Sequence, residues 1–93
     1  MKHHILVKFV DGTDPGSLLE PIRTLFAPLL ELPGIHGLEL KPNCVDRPNR
    51  YDLLIVLDMD REALPAYDAS EPHLRWKRDY GERIAKKAIF DCE

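Results

Sequence analysis

The stretch YDLLIVLD, residues 51–58, is the most apolar run of this sequence, with five consecutive aliphatic residues at its centre. It is short, contains β-branched side chains and is bounded by polar residues. Such a run is typical of a strand buried on both faces of a sheet, where the alternation of polar and apolar residues disappears. The sequence therefore predicts a β-sheet built around this strand.

Residues 3–10 predict a second strand, because their side chains alternate with the period of two that a strand imposes. One face carries His3, Ile5, Val7 and Phe9, and the other carries His4, Leu6, Lys8 and Val10. Both faces hold apolar residues, so both are expected to be covered.

A helix is predicted to follow the loop at residues 11–16. Ser17 and Glu20 have the spacing of a capping box, and apolar residues then recur at helical spacing as far as Leu30. Pro28 cannot donate a backbone hydrogen bond, so a kink is expected there before residues 32–34 end the helix.

The remaining elements are predicted at residues 35–41 (strand), 63–69 and 72–86 (helices) and 88–92 (strand). Asp60 is a favourable N-cap for a helix that begins at Arg61. Pro72 disfavours helical geometry at the residue before it and suits a first helical position, so it predicts the break between the last two helices. Trp76 is expected to pack inward or against a partner chain.

This order of elements predicts a single α+β domain over residues 1–93. Its architecture is a ferredoxin-like four-stranded antiparallel sheet with helices on one face. The helices cover only one face of a sheet that is apolar on both. A second copy of the same sheet is the simplest cover for the other face, so a homodimer is expected.

Composition narrows the classes of function. The 93 residues carry a net charge of −3 and are 44% hydrophobic, which argues against nucleic-acid binding, since that needs a clustered basic surface. No run reaches the ~20 apolar residues of a membrane helix, and the apolar N-terminal run is too short for a signal peptide. A cytoplasmic protein with no membrane partner is expected. The two cysteines, Cys44 and Cys92, show no metal or redox spacing.

Several short motifs, in order along the chain, resemble the stress-responsive A/B barrel (Dabb) family. They are KHHILVKF (2–9), LPGI (32–35), YDL (51–53), ALPAY (63–67), Pro72-His73 and IFD (89–91). The resemblance implies a dimeric α+β barrel. The family holds stress-induced proteins, proteins without known chemistry and a branch of polyketide cyclases.

In the cyclase branch a tyrosine and a histidine act as an acid/base pair in a pocket between helices and sheet. The resemblance places Tyr67 and His73 at those positions and His3 at a further pocket histidine that contacts substrate. Two positions depart from the pattern: Ser70 replaces a histidine, and Leu53 stands where the cyclases carry a polar residue.

The residues themselves leave both roles open. Histidine exchanges protons near neutral pH, and a tyrosine hydroxyl can donate to a developing enolate oxygen. On one continuous helix Tyr67 and His73 would point about 240° apart, so convergence requires the break at Pro72. In the alternative, Tyr67 packs in the core with its hydroxyl bonded and His73 caps the helix start. His3, at the end of an apolar strand face, fits either a solvated rim or a pocket.

Three functions follow. The first is a homodimeric stress-type protein that binds a small apolar molecule and has no assigned reaction. The second is a lyase or cyclase acting on a polyketide-like ligand through Tyr67 and His73. The third is a cofactor-free monooxygenase, which is argued from the fold alone. The sequence shows no flavin, haem or nucleotide motif, so no cofactor is expected, and no histidine pair has metal-ligand spacing.

Overall fold

The computed structural model describes all 93 residues and contains four strands and three α-helices, joined by short 3₁₀ segments. In chain order they are β1 (Lys2–Phe9), α1 (Leu19–Phe26), β2 (Ile35–Pro42), β3 (Leu53–Met59), α2 (Leu64–Asp68), α3 (Glu71–Tyr80) and β4 (Ile84–Cys92). No helix is long and apolar enough to span a membrane.

The strands form one antiparallel sheet in the order β2-β3-β1-β4. Ile5 of β1 lies opposite Ile55 of β3 on one side and Ile89 of β4 on the other, so the two most apolar strands occupy the centre. The predicted ferredoxin-like α+β fold is confirmed. The central positions follow from composition, because β1 and β3 carry the apolar residues that a two-sided environment requires.

The core lies between the sheet and the helices. Ile5, Val7 and Phe9 project from β1 into it, and each is at most 3% exposed. Trp76 of α3 closes the core from the helical side, with its ring centroid 5.3 Å from that of Phe26 in α1. Each such buried side chain contributes roughly 1.5–3 kcal/mol of transfer free energy, so these contacts fix α1 and α3 against the sheet.

The first helix differs from the sequence prediction at both ends. The expected capping box at Ser17 is absent, because Asp14 caps a preceding 3₁₀ turn by accepting from Gly16 N at 3.1 Å. Regular α-helix ends at Phe26, and Ala27–Glu31 is 3₁₀. Pro28 has no amide hydrogen to donate, and the chain changes there from α-helix to 3₁₀ helix. This change takes the place of the predicted kink.

The last helix is shorter than the predicted one at residues 72–86. It ends at Tyr80, and β4 begins at Ile84 where helix had been expected as far as Lys86. Lys86 and Lys87 pair with Lys8 and Val7 of β1, so sheet hydrogen bonds override a weak helical preference. Lysines on an edge strand also oppose pairing with other sheets.

The predicted break between the last two helices is confirmed, since α2 and α3 are separated at Ala69 and Ser70. The cap expected at Asp60 is only partly correct. Asp60 precedes a 3₁₀ turn, Arg61–Ala63, without a side-chain capping bond. Its carboxylate instead lies 3.0 Å from Nε2 of His36, which holds the start of β2 beside the end of β3.

Candidate functional site

A cavity of about 250 Å³ lies between the helical layer and the β1–β4 edge of the sheet. Its wall includes His3, Tyr67, His73 and Asp91 beside the apolar side chains of Ile5 and Trp76. His3, Tyr67 and His73, the three candidate site residues from the sequence, therefore line one cavity. A single continuous helix would have pointed Tyr67 and His73 in different directions.

The bend between α2 and α3 brings Tyr67 and His73 together. Ser70 shapes that bend: its hydroxyl donates to the Tyr67 carbonyl at 2.6 Å and accepts from the His73 amide at 3.3 Å. The two rings lie with their centroids 4.7 Å apart. Ser70, the residue that departs from the Dabb pattern, thus acts here as the N-cap that turns His73 back toward Tyr67.

The tautomer of His73 is set by its backbone contact. Its Nδ1 lies 2.9 Å from the Asp68 carbonyl oxygen, which can only accept, so Nδ1 carries the proton and donates it. In the neutral ring Nε2 is then bare and able to accept a proton. His73 is not itself the helix cap, as the alternative interpretation had it, because Ser70 has that role.

His3 is a buried member of the site. It is only 6% exposed, so the interpretation of a solvated rim position is wrong for this side chain. Its Nδ1 donates to Asp91 Oδ1 at 2.5 Å, and its ring centroid lies 5.3 Å from that of Tyr67. The strand end is covered by α2, which the alternation of β1 alone could not reveal.

Asp91 is the site residue that sequence reasoning missed. It lies directly opposite His3 in the β1–β4 pairing and lines the same cavity. In the sequence, the IFD motif at residues 89–91 indicates only a closing strand. His3 and Asp91 are 88 positions apart in the sequence. Only the register of β1 and β4 shows that their side chains are neighbours.

Tyr67 is 2% exposed. Burial raises the pKa of its phenol well above the ordinary value of 10.0, and the nearby Asp68 carboxylate makes a smaller contribution in the same direction. The hydroxyl makes no hydrogen bond within the protein. It is not completely buried either, because every completely buried side-chain N or O atom of this protein has a hydrogen-bond partner. The hydroxyl therefore opens to the cavity as a neutral donor, and the expectation that it is bonded inside the core is not met.

Together these groups place one hydroxyl donor beside two imidazoles that each keep Nε2 free. A larger depression of about 390 Å³ lies beside residues 41–54 but contains no histidine or carboxylate. No cluster of three metal-binding side chains occurs in the chain. Of these two pockets, only the smaller one combines histidine and carboxylate side chains, whereas the larger one carries Lys41, Cys44 and Tyr51.

No protein-family model matches this chain, and none of the curated proteins matches it in sequence. Solved structures match it over nearly its whole length. A dimeric protein of unknown function with a ferredoxin-like fold from Bacteroides fragilis is 15% identical with a TM-score of 0.78, covering 99% of this chain and 93% of its own.

Two further structures bear on the fold. A Dabb family protein with a ferredoxin-like fold from Mesorhizobium loti is 13% identical with a TM-score of 0.74, covering 99% of this chain and 93% of its own. A hydroxynitrile lyase from Passiflora edulis is 10% identical with a TM-score of 0.74, covering 96% and 87%. The resemblance to the Dabb group is therefore confirmed at the level of the fold.

Proposed function

We propose that this protein is a small acid/base enzyme of the lyase type, which acts on a small carbonyl compound or its adduct. The observation that carries the proposal is the shared cavity, in which Tyr67 and His73 contact each other and His3 completes the wall. A protein that only binds a small apolar molecule needs neither a free tyrosine hydroxyl nor a free imidazole nitrogen in its cavity. These groups therefore favour an enzyme over a carrier.

Tyr67 is the hydrogen-bond donor of the proposed reaction. Its raised pKa keeps the phenol neutral at ordinary pH, so it can donate to a carbonyl oxygen as negative charge develops there. A donor already aimed into the cavity needs little reorganisation during the reaction, and preorganised donors of this kind lower the barrier.

The proton acceptor is an imidazole. Both His3 and His73 hold their Nδ1 protons on fixed oxygen acceptors, which leaves Nε2 as the basic atom in each neutral ring. Either Nε2 can take a proton from a substrate hydroxyl or from a carbon next to a carbonyl.

Cleavage of a cyanohydrin is the simplest reaction these groups can perform. A bare Nε2 takes the hydroxyl proton, the oxygen–hydrogen electrons form the carbonyl, and the carbon–nitrile bond breaks with its electron pair leaving on cyanide. The imidazolium then returns the proton to cyanide, so the products are a carbonyl compound and hydrogen cyanide. Tyr67 donates to the oxygen throughout. The same fold serves the Passiflora lyase, which supports this choice.

The volume of the cavity supports a small substrate. At about 250 Å³ it falls below the ~300 Å³ at which drug-sized ligand sites begin. Ile5 and Trp76 in the wall favour an apolar body such as an aromatic ring, whereas the oxygen would face Tyr67. An aromatic cyanohydrin such as mandelonitrile satisfies both requirements.

The proposal is tested by release of benzaldehyde from mandelonitrile, followed by absorbance. Tyr67→Phe removes one hydroxyl and keeps the buried ring, so we expect a loss of about 10²-fold in kcat, in the range found for removal of an oxyanion donor. His73→Ala should also lower turnover. His36→Ala is the matched control, since His36 bonds Asp60 at the surface and should leave turnover unchanged.

Two results would count against the enzyme. One is equal activity of Tyr67→Phe and the wild-type chain. The other is the absence of turnover together with the absence of chemical-shift changes at Tyr67 and His73 when benzaldehyde is titrated in. Binding without turnover would return the protein to the role of a small-molecule carrier.

We also propose that the chain is a homodimer, joined through the sheet face that the helices leave open. Register places two rows of side chains on that face, Leu6 with Leu54 and Ala88, and His4 with Val56 and Phe90. All of them except His4 are apolar. Phe90 is 63% exposed, a large apolar surface that a partner would cover. The dimeric assembly stated for the Bacteroides protein supports the same arrangement here.

A further inference from the structure

We infer that Asp91 is a positioning residue that fixes the tautomer of His3 and so makes His3, rather than His73, the base of the site. This inference rests on the proposed acid/base function and names its proton acceptor. The juxtaposition that carries it is the pairing of a buried imidazole with a carboxylate on the neighbouring strand, at the wall of the cavity.

The geometry of the pair is direct. Asp91 Oδ1 lies 2.5 Å from Nδ1 of His3, and the two residues face each other across the β1–β4 ladder. Strand pairing keeps the Cβ atoms of the two residues next to each other, and the hydrogen bond to Asp91 then orients the ring of His3. His3 Nε2 is then the only ring nitrogen left for a ligand.

The two histidines differ in the acceptor that their Nδ1 atoms bond. His73 donates to the backbone carbonyl of Asp68, a neutral dipole. His3 donates to a carboxylate. When an imidazole takes a proton it becomes a cation, and an anion bonded to its far nitrogen stabilises that cation more than a carbonyl does, because charge-assisted hydrogen bonds are roughly twice as strong.

Burial sharpens the difference. His3 is 6% exposed, whereas the ring of His73 lies at an exposed contact. Electrostatic interactions are weaker where water screens them. The Asp91 side chain is itself 39% exposed, so its carboxylate is partly screened, and only the His3 end of the pair is shielded from water. The rings of Tyr67 and His3 also pack against each other, edge to face, so the residue that carries the hydroxyl donor lies next to His3.

The first test is the tautomer of His3, read by NMR of the ¹⁵N-labelled imidazole, which needs no substrate. In the wild-type chain we expect Nδ1 protonated and Nε2 bare. In Asp91→Asn the new amide group can donate to Nδ1, so the proton should move at least partly to Nε2; in Asp91→Ala the preference for one tautomer should fall. An unchanged tautomer in both variants would overturn the inference.

The second test is turnover of mandelonitrile. Asp91→Asn should lower kcat by about 10²-fold or more, the size of a general-base contribution, with KM within about twofold because the residue acts through His3 and not on the substrate. Asp79→Asn, the same chemical change on a helix-surface carboxylate bonded to Arg78, should leave kcat unaltered.

The outcomes separate this inference from the proposed function. If the tautomer changes and kcat does not, Asp91 positions His3 but His3 is not the base, and the inference is wrong. If His73→Ala abolishes turnover while His3→Ala does not, His73 is the base and the inference fails again. If the wild-type chain turns over no probe, the proposed function fails, and the tautomer still decides whether Asp91 holds His3.

Discussion

Burial of Tyr67 affects both the stability of the fold and the ionisation of its phenol. The Tyr67 side chain is 2% exposed, and its hydroxyl opens to the cavity without a hydrogen bond to the protein. Any loss of hydration at that hydroxyl costs stability relative to a phenylalanine of the same shape. The same burial keeps the phenol neutral. Burial disfavours the phenolate and so raises the pKa of Tyr67 in the folded chain.

The raised pKa makes stability fall in alkaline solution. The unfolded chain releases the Tyr67 proton once pH passes about 10, while the folded chain still holds it. The unfolded state therefore gains stability as pH rises above that value, and the free energy of unfolding decreases. Tyr67→Phe should show a smaller decrease over the same range in urea titrations. Equal slopes for both chains would contradict the assignment.

Phenolate absorbance gives a direct check on the same group. The chain has three tyrosines, and in a pH titration of the folded protein one of them should ionise well above the others or only on unfolding. Tyr67→Phe should remove that late component alone. A titration in which the late component survives this substitution would place it on another tyrosine.

At the scale of the element, Ser70 decides how α2 leads into α3. Its hydroxyl accepts from the His73 amide, and N-cap bonds of this kind contribute about 1 kcal/mol. We expect Ser70→Ala to lower the free energy of unfolding by about that amount in urea. It should also reduce mandelonitrile turnover, since the cap orients His73 against Tyr67. Ser17→Ala, whose hydroxyl bonds Asp14 at the surface, should cost under about 0.5 kcal/mol.

The elements also show which information the sequence contains. The strands at residues 3–10 and 51–58 were predictable because alternation and continuous apolarity are local patterns. The break at Pro72 was predictable because proline acts on its own backbone. The start of β4 was not, since Ile84 to Lys87 fits a helix as well as a strand until it pairs with β1. For the same reason Asp91 could not be assigned to His3, because register is a tertiary property.

At the scale of the whole molecule, the open face of the sheet is the feature that a single chain leaves unexplained. A domain of 93 residues buries only about two-thirds of the surface of its unfolded chain, so further burial against a copy would stabilise it. The cavity, in contrast, lies on the helical side of the sheet and is built from residues of one chain. The proposed dimer and the proposed reaction should therefore be separable by substitution.

Phe90→Lys tests that separation. The wild-type chain should be a dimer by light scattering at micromolar concentration, and this variant should be a monomer, because a partner sheet would have to bury an unpaired ammonium group. Phe90 is 63% exposed in the single chain, so the fold should survive, and circular dichroism checks this. Leu30→Lys makes a comparable change at a 45% exposed position on the helical side, and it should remain a dimer.

The contrary outcomes are equally informative about the sheet. A monomeric wild-type chain would mean that Val56, Leu54 and their neighbours are covered well enough by the long side chains around them, as the 7% exposure of Val56 already suggests for one position. A Phe90→Lys variant that stays dimeric would move the interface to another surface. If the variant is a folded monomer that retains His3, Tyr67 and His73 in contact, its turnover of mandelonitrile should match that of the dimer, because no group of the cavity lies on the open face.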